Sequence, residues 1–267
     1  LNDYEIKKLL EYFKNLKTKL VDRDESTKIA FNFDDNKILK NIEIKLKDLI
    51  GNFYVNDFKP HYFDSRYPLR IHADTGKNPN DIIYKNILIP LEINSKNNSD
   101  VHTIIFKNMW FGQSALFTTK TKDNYDYIIK DIEGNFRDII DIRRFLQVLK
   151  STNQNKEIFY ESGKYFNDKY FIDYIQTLCK GKRYNIRTDK HIKSNAQFDK
   201  KLYDKYLSHQ PYEDLKGMEI KKIFKWKPGN LLTWDRVCIH SSDNFIKNKN
   251  IESKTFIAIF TSKTNVA

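Results

Sequence analysis

Cysteine is nearly missing from this chain: Cys179 and Cys238 are the two among 267 residues, with no Cys-x-x-Cys pair and no spacing suited to zinc. That excludes a disulfide scaffold and a small zinc module, and it predicts a reduced, intracellular, cytoplasmic protein. Apolar runs of about 18 residues are also missing, so no transmembrane helix is expected. The start, Leu-Asn-Asp-Tyr-Glu-Ile-Lys-Lys, is charged and amphipathic rather than the apolar core of a signal peptide. It does not open with Met, which leaves room for a processed chain or a piece of a longer one with flanking domains removed. No repeat and no low-complexity tract stands out, and nothing in the sequence speaks to oligomeric state.

What the chain does hold is enough apolar material for a core: 40% hydrophobic residues, with 19 Phe and 16 Tyr. Its size suits one domain, either generous in size or carrying a substantial insertion. The net charge of +12 has two readings. One is a nucleic-acid partner. The other, favoured because the lysines are spread along the chain rather than massed, is a composition rich in Lys, Asn and Ile with no such partner.

Apolar positions Tyr4, Ile6, Leu9, Leu10, Phe13, Leu16 and Leu20 keep helical spacing and predict a helix over residues 4–20. A strand is expected over Lys28–Phe33, a second amphipathic helix over Asn36–Ile50, and an aromatic-rich loop over residues 51–67. Strands follow at Leu69–Ala73, Asn86–Ile93 and Val101–Lys107. From 120 to 215 the character changes, with helices expected at Asp138–Leu149, Tyr170–Lys180 and Phe198–Leu207 between polar, basic stretches. This reads as an insertion, either a lid or a structural embellishment. Strands then return at Met218–Trp226 and Ser253–Ser262, with a Pro228-Gly229 turn leading into another that delivers His240.

The chemistry concentrates in two distant segments, Pro68-Leu-Arg-Ile-His72-Ala-Asp74 and Pro228 to Phe245. His72 and Asp74 stand two apart in a strand, so both side chains project to one face. His-x-Asp alone carries little weight, because a His–Asp hydrogen bond at a strand end reads the same way. With a distal histidine, His240, it makes two imidazoles and a carboxylate, a ligand set that leaves open positions on non-haem Fe(II).

This order of parts resembles the 2-oxoglutarate and Fe(II)-dependent oxygenase superfamily over roughly residues 65–120 and 216–263. The resemblance implies an α+β, mainly β fold: a double-stranded β-helix, a jelly-roll or cupin-like barrel, buttressed by N-terminal helices. Residues 1–66 would supply those helices and a strand, 67–119 and 216–264 the barrel, and 120–215 the insertion, all in one domain spanning 1–267. It implies His72, Asp74 and His240 as iron ligands and catalytic centre, and Lys254 as partner of the C5 carboxylate of 2-oxoglutarate. O2 would be the co-reactant and an unidentified molecule the substrate, hydroxylated as succinate and CO2 are released. Many members carry arginine where Lys254 stands, followed two residues later by Ser, where this chain has Phe256. Arginine forks onto a carboxylate, whereas lysine offers a point charge. The nucleic-acid-repair branch carries two arginines after the distal histidine, and this chain has none after Arg236.

Around that core, strand alternation turns Arg70 to the face of His72 and Asp74, where it would hold an anion or a salt bridge at the mouth. Tyr84, Asn86 and Thr103 are candidate contacts to 2-oxoglutarate, with Lys247 and Lys249 as substitutes for Lys254. Trp226 and Trp234 read as wall or core. His191, His209 and Cys179 read as surface residues without a metal. A small molecule is the first expectation for the substrate and a peptide or protein side chain the second. Rivals are a non-catalytic β-sandwich binding module and a cupin-like metalloenzyme that dispenses with 2-oxoglutarate.

Overall fold

The computed structural model describes residues 1–16, 20–21, 26–56, 59–76, 83–96, 99–109, 115–116, 197–215, 218–247, 250–263 and 265. The helices expected at Asp138–Leu149 and Tyr170–Lys180 lie outside these residues, as do Cys179, His191 and Lys249.

Helix α1 (Asp3–Asn15) opens on a capping box in which Asn2 and Glu5 exchange side-chain and backbone bonds. Ile6, Leu9 and Phe13 form its buried stripe, and Leu16 already stands in extended backbone, so the helix stops short of the predicted residue 20. Helix α2 (Lys37–Ile50) is capped by the Asn36 side chain and ends at Gly51, whose φ of 78° suits glycine.

The strands are β1 (Leu20–Val21), β2 (Thr27–Ala30), β3 (His61–Ser65), β4 (His72–Ala73), β5 (Ile83–Ser95), β6 (His102–Met109), β7 (Ala115–Leu116), β8 (Ile220–Lys225), β9 (Leu232–Asp235), β10 (Cys238–Ser242) and β11 (Ile251–Ser262). They build two antiparallel sheets, β1-β2-β3-β11-β5-β9 and β7-β4-β10-β6-β8. The described residues are mostly β, with a few helices.

Alternation along the strands sorts three apolar layers. Ile87, Ile89, Leu91, Ile257 and Ile259 face outward from the first sheet and meet Leu9, Phe13, Leu39, Ile42 and Leu46 of the two helices. Leu88, Ile105, Leu232, Trp234 and Cys238 face inward and pack the two sheets against each other. Ile104, Phe106 and Ile239, on the far side of the second sheet, are covered by Phe198, Leu207 and Leu215. The segment 197–215 therefore serves as a back wall. Its helix runs α over Lys200–Leu202 and π over Tyr203–Leu207.

Three expectations need correcting. Residues 61–65 are not loop: β3 pairs with both β2 and β11, and Tyr62 stacks on Phe13 at 4.4 Å between ring centroids. The segment approaching His240 is two strands, because β9 pairs with β5 in the first sheet and β10 with β6 in the second. The chain changes sheets at Arg236-Val237, after a turn at Gly229 (φ 81°) has set the entry to β9. The strand expected over Leu69–Ala73 is confined to β4, and Leu69 and Arg70 precede it in irregular backbone.

Candidate metal centre

Cross-strand pairing brings the two histidines together: His72 of β4 lies directly opposite His240 of β10, with ring centroids 4.0 Å apart. Asp74 follows β4 and turns its carboxylate to the same side as His72, as the two-residue spacing requires. Its Oδ2 lies 3.0 Å from His240 Nε2 and 3.7 Å from His72 Nε2. One ligand atom from each of the three falls within 4.8 Å of the others. For bonds of about 2.1 Å, neighbouring donors around one metal stand about 3.0 to 3.4 Å apart, so the group is close to closing on an ion.

The hydrogen bonds behind the rings decide which atoms face inward. His72 Nδ1 donates to the Arg70 carbonyl at 2.7 Å, and His240 Nδ1 donates to the Cys238 carbonyl at 3.0 Å. A carbonyl can only accept, so each Nδ1 carries a proton. In the neutral rings both Nε2 atoms then present lone pairs toward Asp74 Oδ2. Three acceptors turned on one point need a cation between them, a proton or a metal ion, and this donor set can hold a metal.

Electrostatics favours the metal-ready state. Burial and the neighbouring His240 push the His72 imidazole down to about 4, against the opposing pull of Asp74. Burial pushes Asp74 upward, but His72, His240 and Arg236 outweigh it and hold the carboxyl well below the usual range. The Asp74 side chain keeps 26% of its surface, whereas His72 keeps 13% and His240 6%, so the centre is open on the carboxylate side.

Lys254 lies 2% exposed on the inner side of β11. Its Nζ donates to Ser242 Oγ at 2.8 Å and sits over the rings of Trp226 (4.5 Å), Phe245 (4.8 Å) and Phe256 (5.9 Å). Burial drives this amine down to about 8, with Asp243 pulling the other way. Among the described residues no carboxylate reaches it within ion-pair distance. An ammonium has three protons to donate, and Ser242 takes one.

The other predicted contacts divide. Asn86 is in place: it is buried, and its Nδ2 donates to Asp74 Oδ2 at 3.3 Å. Thr103 serves indirectly, accepting from Trp226 Nε1 at 2.8 Å and so fixing a wall of the Lys254 pocket. Arg70 contributes its carbonyl, which accepts from His72 Nδ1. Tyr84 is turned away. Between the Phe260–Asn86 and Ser262–Ile83 pairs, three steps on β5 answer two on β11, and this bulge swings the ring outward. Its hydroxyl donates to the Ile50 carbonyl at the end of α2. Lys247 reaches the Asp204 carbonyl at the surface and does not substitute for Lys254. His209 is not a surface residue. It is half-buried, and burial, with Lys254 and Arg70 nearby, brings its imidazole to about 4. Trp226 and Trp234 are buried as expected, the latter with its ring 4.9 Å from His240.

Three residues escaped notice in the sequence. Gln210, just after the helix over 200–207, accepts from the Ile71 backbone at 3.0 Å and approaches Ser241 Oγ at 3.5 Å, bracing the neighbours of both histidines. Ser242 anchors Lys254. Arg236, almost wholly buried, donates to the Asp74 carbonyl at 2.8 Å. No motif marks Gln210 or Ser242; the signal for Arg236 was an arginine inside an apolar segment bound for the core.

No family model matches the sequence, and neither a curated protein nor a solved structure does.

Proposed function

We propose that this protein is an Fe(II)- and 2-oxoglutarate-dependent oxygenase that hydroxylates a C–H bond of a small molecule, releasing succinate and CO2. The observation that carries the reading is the convergence of His72 Nε2, His240 Nε2 and Asp74 Oδ2, with both Nδ1 atoms committed to backbone carbonyls. Two imidazoles and one carboxylate with open positions are the donor set of oxygen-activating non-haem iron.

Strand order supports the barrel. Setting aside β1, β2 and β7, the remaining eight in chain order pair 1-8-3-6 in one sheet and 2-7-4-5 in the other. This is the pairing expected of an eight-stranded jelly roll closed as a double-stranded β-helix.

Lys254 supports the co-substrate. Ser242, its partner, stands two residues beyond His240 on one strand, a rise of about 7 Å. A five-carbon dicarboxylate spans such a gap, with one end at the metal ligands and the other on the ammonium. In that arrangement Lys254 neutralises the far carboxylate, Trp226 and Phe256 keep water from it, and Trp234 walls the chamber beside His240. When bound, iron would supply the activation of oxygen that no side chain here can perform. The depth of the three ligands favours a substrate slim enough to enter between the sheets.

Anaerobic titration tests this directly. Fe(II) and 2-oxoglutarate together should produce a weak visible charge-transfer band that neither gives alone, and Asp74→Ala should abolish it. Absence of the band in wild-type protein holding both would refute the oxygenase reading, and metal binding without it would leave a metalloprotein of another kind.

A further inference from the structure

Asp74 is the ligand with the least help from the sheet. His72 is held by pairing with both His240 and Leu116, and Ala73 by pairing with Ala115. Asp74 comes one residue after β4 ends, beyond the ladder, where a carboxylate would ordinarily swing among rotamers. Two side chains, one from the crossing between the sheets and one from the opposite sheet, reach it instead. Arg236, at the crossing from β9 to β10, donates from Nε to the Asp74 carbonyl at 2.8 Å. Asn86, on β5, donates from Nδ2 to the Asp74 carboxylate at 3.3 Å, on the same Oδ2 that faces both histidines.

The surroundings of Arg236 argue that it is there for Asp74. A guanidinium 1% exposed is expensive to desolvate. Its Nη1 bonds go to the Thr261 carbonyl and Ser262 Oγ, both at 3.2 Å, which tie it rigidly to β11. Asn86 is 2% exposed, and its amide orientation is chemically determined, since a carboxylate accepts and only the Nδ2 end donates.

We propose that Arg236, at the crossing between the sheets, and Asn86, on the first sheet, are positioning residues that clamp Asp74, one by its main chain and one by its carboxylate, so that it meets the two histidines of the second sheet as a metal ligand. The centre is thereby assembled across the two sheets, and its metal affinity reports their packing. This rests on the metal reading of the triad, though not on iron or 2-oxoglutarate.

Co(II) titration of the full chain, followed by its visible absorption and by calorimetry, tests the clamp without any turnover. Loss of an outer partner of a metal ligand costs about 10- to 100-fold in affinity. Arg236→Gln should weaken Co(II) binding by that factor, and Arg236→Lys, which keeps the charge and one donor, should recover part of it. Asn86→Leu should both weaken binding and alter the cobalt spectrum, because Asp74 Oδ2 loses its fixed direction. Ile257→Ala, in the helix-covered core away from Asp74, is the control for stability alone: it should lower Tm yet leave Co(II) affinity unchanged at a temperature where it is folded. Wild-type binding with equal affinity in Arg236→Gln and Asn86→Leu would overturn the clamp alone. Equal weakening in Ile257→Ala would reduce it to general stability and also overturn it. A wild-type chain that takes no Co(II) would overturn the metal reading and the clamp together.

Discussion

The two faces of the β3-β11-β5-β9 portion of the first sheet are made by the same strands and held by opposite means. The outer face carries Ile87, Ile89, Leu91, Ile257 and Ile259 under α1 and α2, an apolar layer in which every side chain has many neighbours and none is unique. The inner face carries Asn86 and Lys254, each buried and each given direction by a named hydrogen bond, to Asp74 and to Ser242. Area stabilises the first and tolerates change in proportion to volume. The second depends on single contacts whose loss strands a buried polar group. One strand thus supplies a foundation with its odd positions and chemistry with its even ones.

The sharpest separation of the faces comes from cutting into the foundation. Phe13→Ala removes a fully buried ring stacked on Tyr62 and should cost about 3–5 kcal/mol in urea unfolding, with Co(II) affinity of the folded fraction unchanged. Asp74→Ala should do the reverse. A wild-type chain with metal at a hundred times its Kd gains about 2.7 kcal/mol of stability, and the variant should gain nothing, as read by thermal unfolding with and without Co(II).

Acid should undo the inner side before the outer. His72 titrates near 6.5 when unfolded and at about 4 when folded. Between those values the unfolded chain binds a proton that the folded centre refuses. Stability of the metal-free protein therefore falls as pH drops from about 6.5 to 4, by on the order of 2 kcal/mol from this residue. His61 and His209, also brought to about 4 chiefly by burial, act with the same sign. Urea midpoints at pH 7 and 4.5 would show the loss, and His72→Gln should flatten part of it. If the slope were unchanged in that variant, the centre would not be the acid-sensitive element.

The mildest test concerns Lys254. With its amine brought to about 8 by burial, 2-oxoglutarate affinity should hold below pH 8 and fall about tenfold per unit above it. Lys254→Met, which retains the stem among Trp226, Phe245 and Phe256, should lower that affinity roughly tenfold at pH 7 and remove the pH dependence, measured by calorimetry with Co(II) present. Persistence of the pH dependence in Lys254→Met would assign it to another group.

Much of this was legible along the chain. Helical spacing exposed α1 and α2, alternation exposed β5, β6 and β11, and the two-residue interval of His72 and Asp74 predicted their common side. Tyr84 and Asn86 show where that legibility ended. They are also two apart, and alternation puts them together, yet a bulge against β11 sends Tyr84 to α2 and leaves Asn86 on Asp74. A bulge is a relation between two strands, so one strand's pattern cannot contain it. His61 to Ser65 failed for a related cause: with aromatics at successive positions and both faces covered, β3 shows no alternation to read.

By itself, then, the sequence determined the periodic elements, the absence of cysteine frameworks, and which residue types could act as ligands. Those properties are local, set by backbone geometry and side-chain chemistry over a few residues. Only the tertiary structure decided that His72 would face His240, that Ser242 would receive Lys254, and that Gln210 would brace both ligand strands. It also decided that Arg236, 162 positions from Asp74, would hold that residue's carbonyl. These are pairings between segments remote in the chain, chosen by which burial satisfies most polar groups at once, and no short window of sequence carries that information.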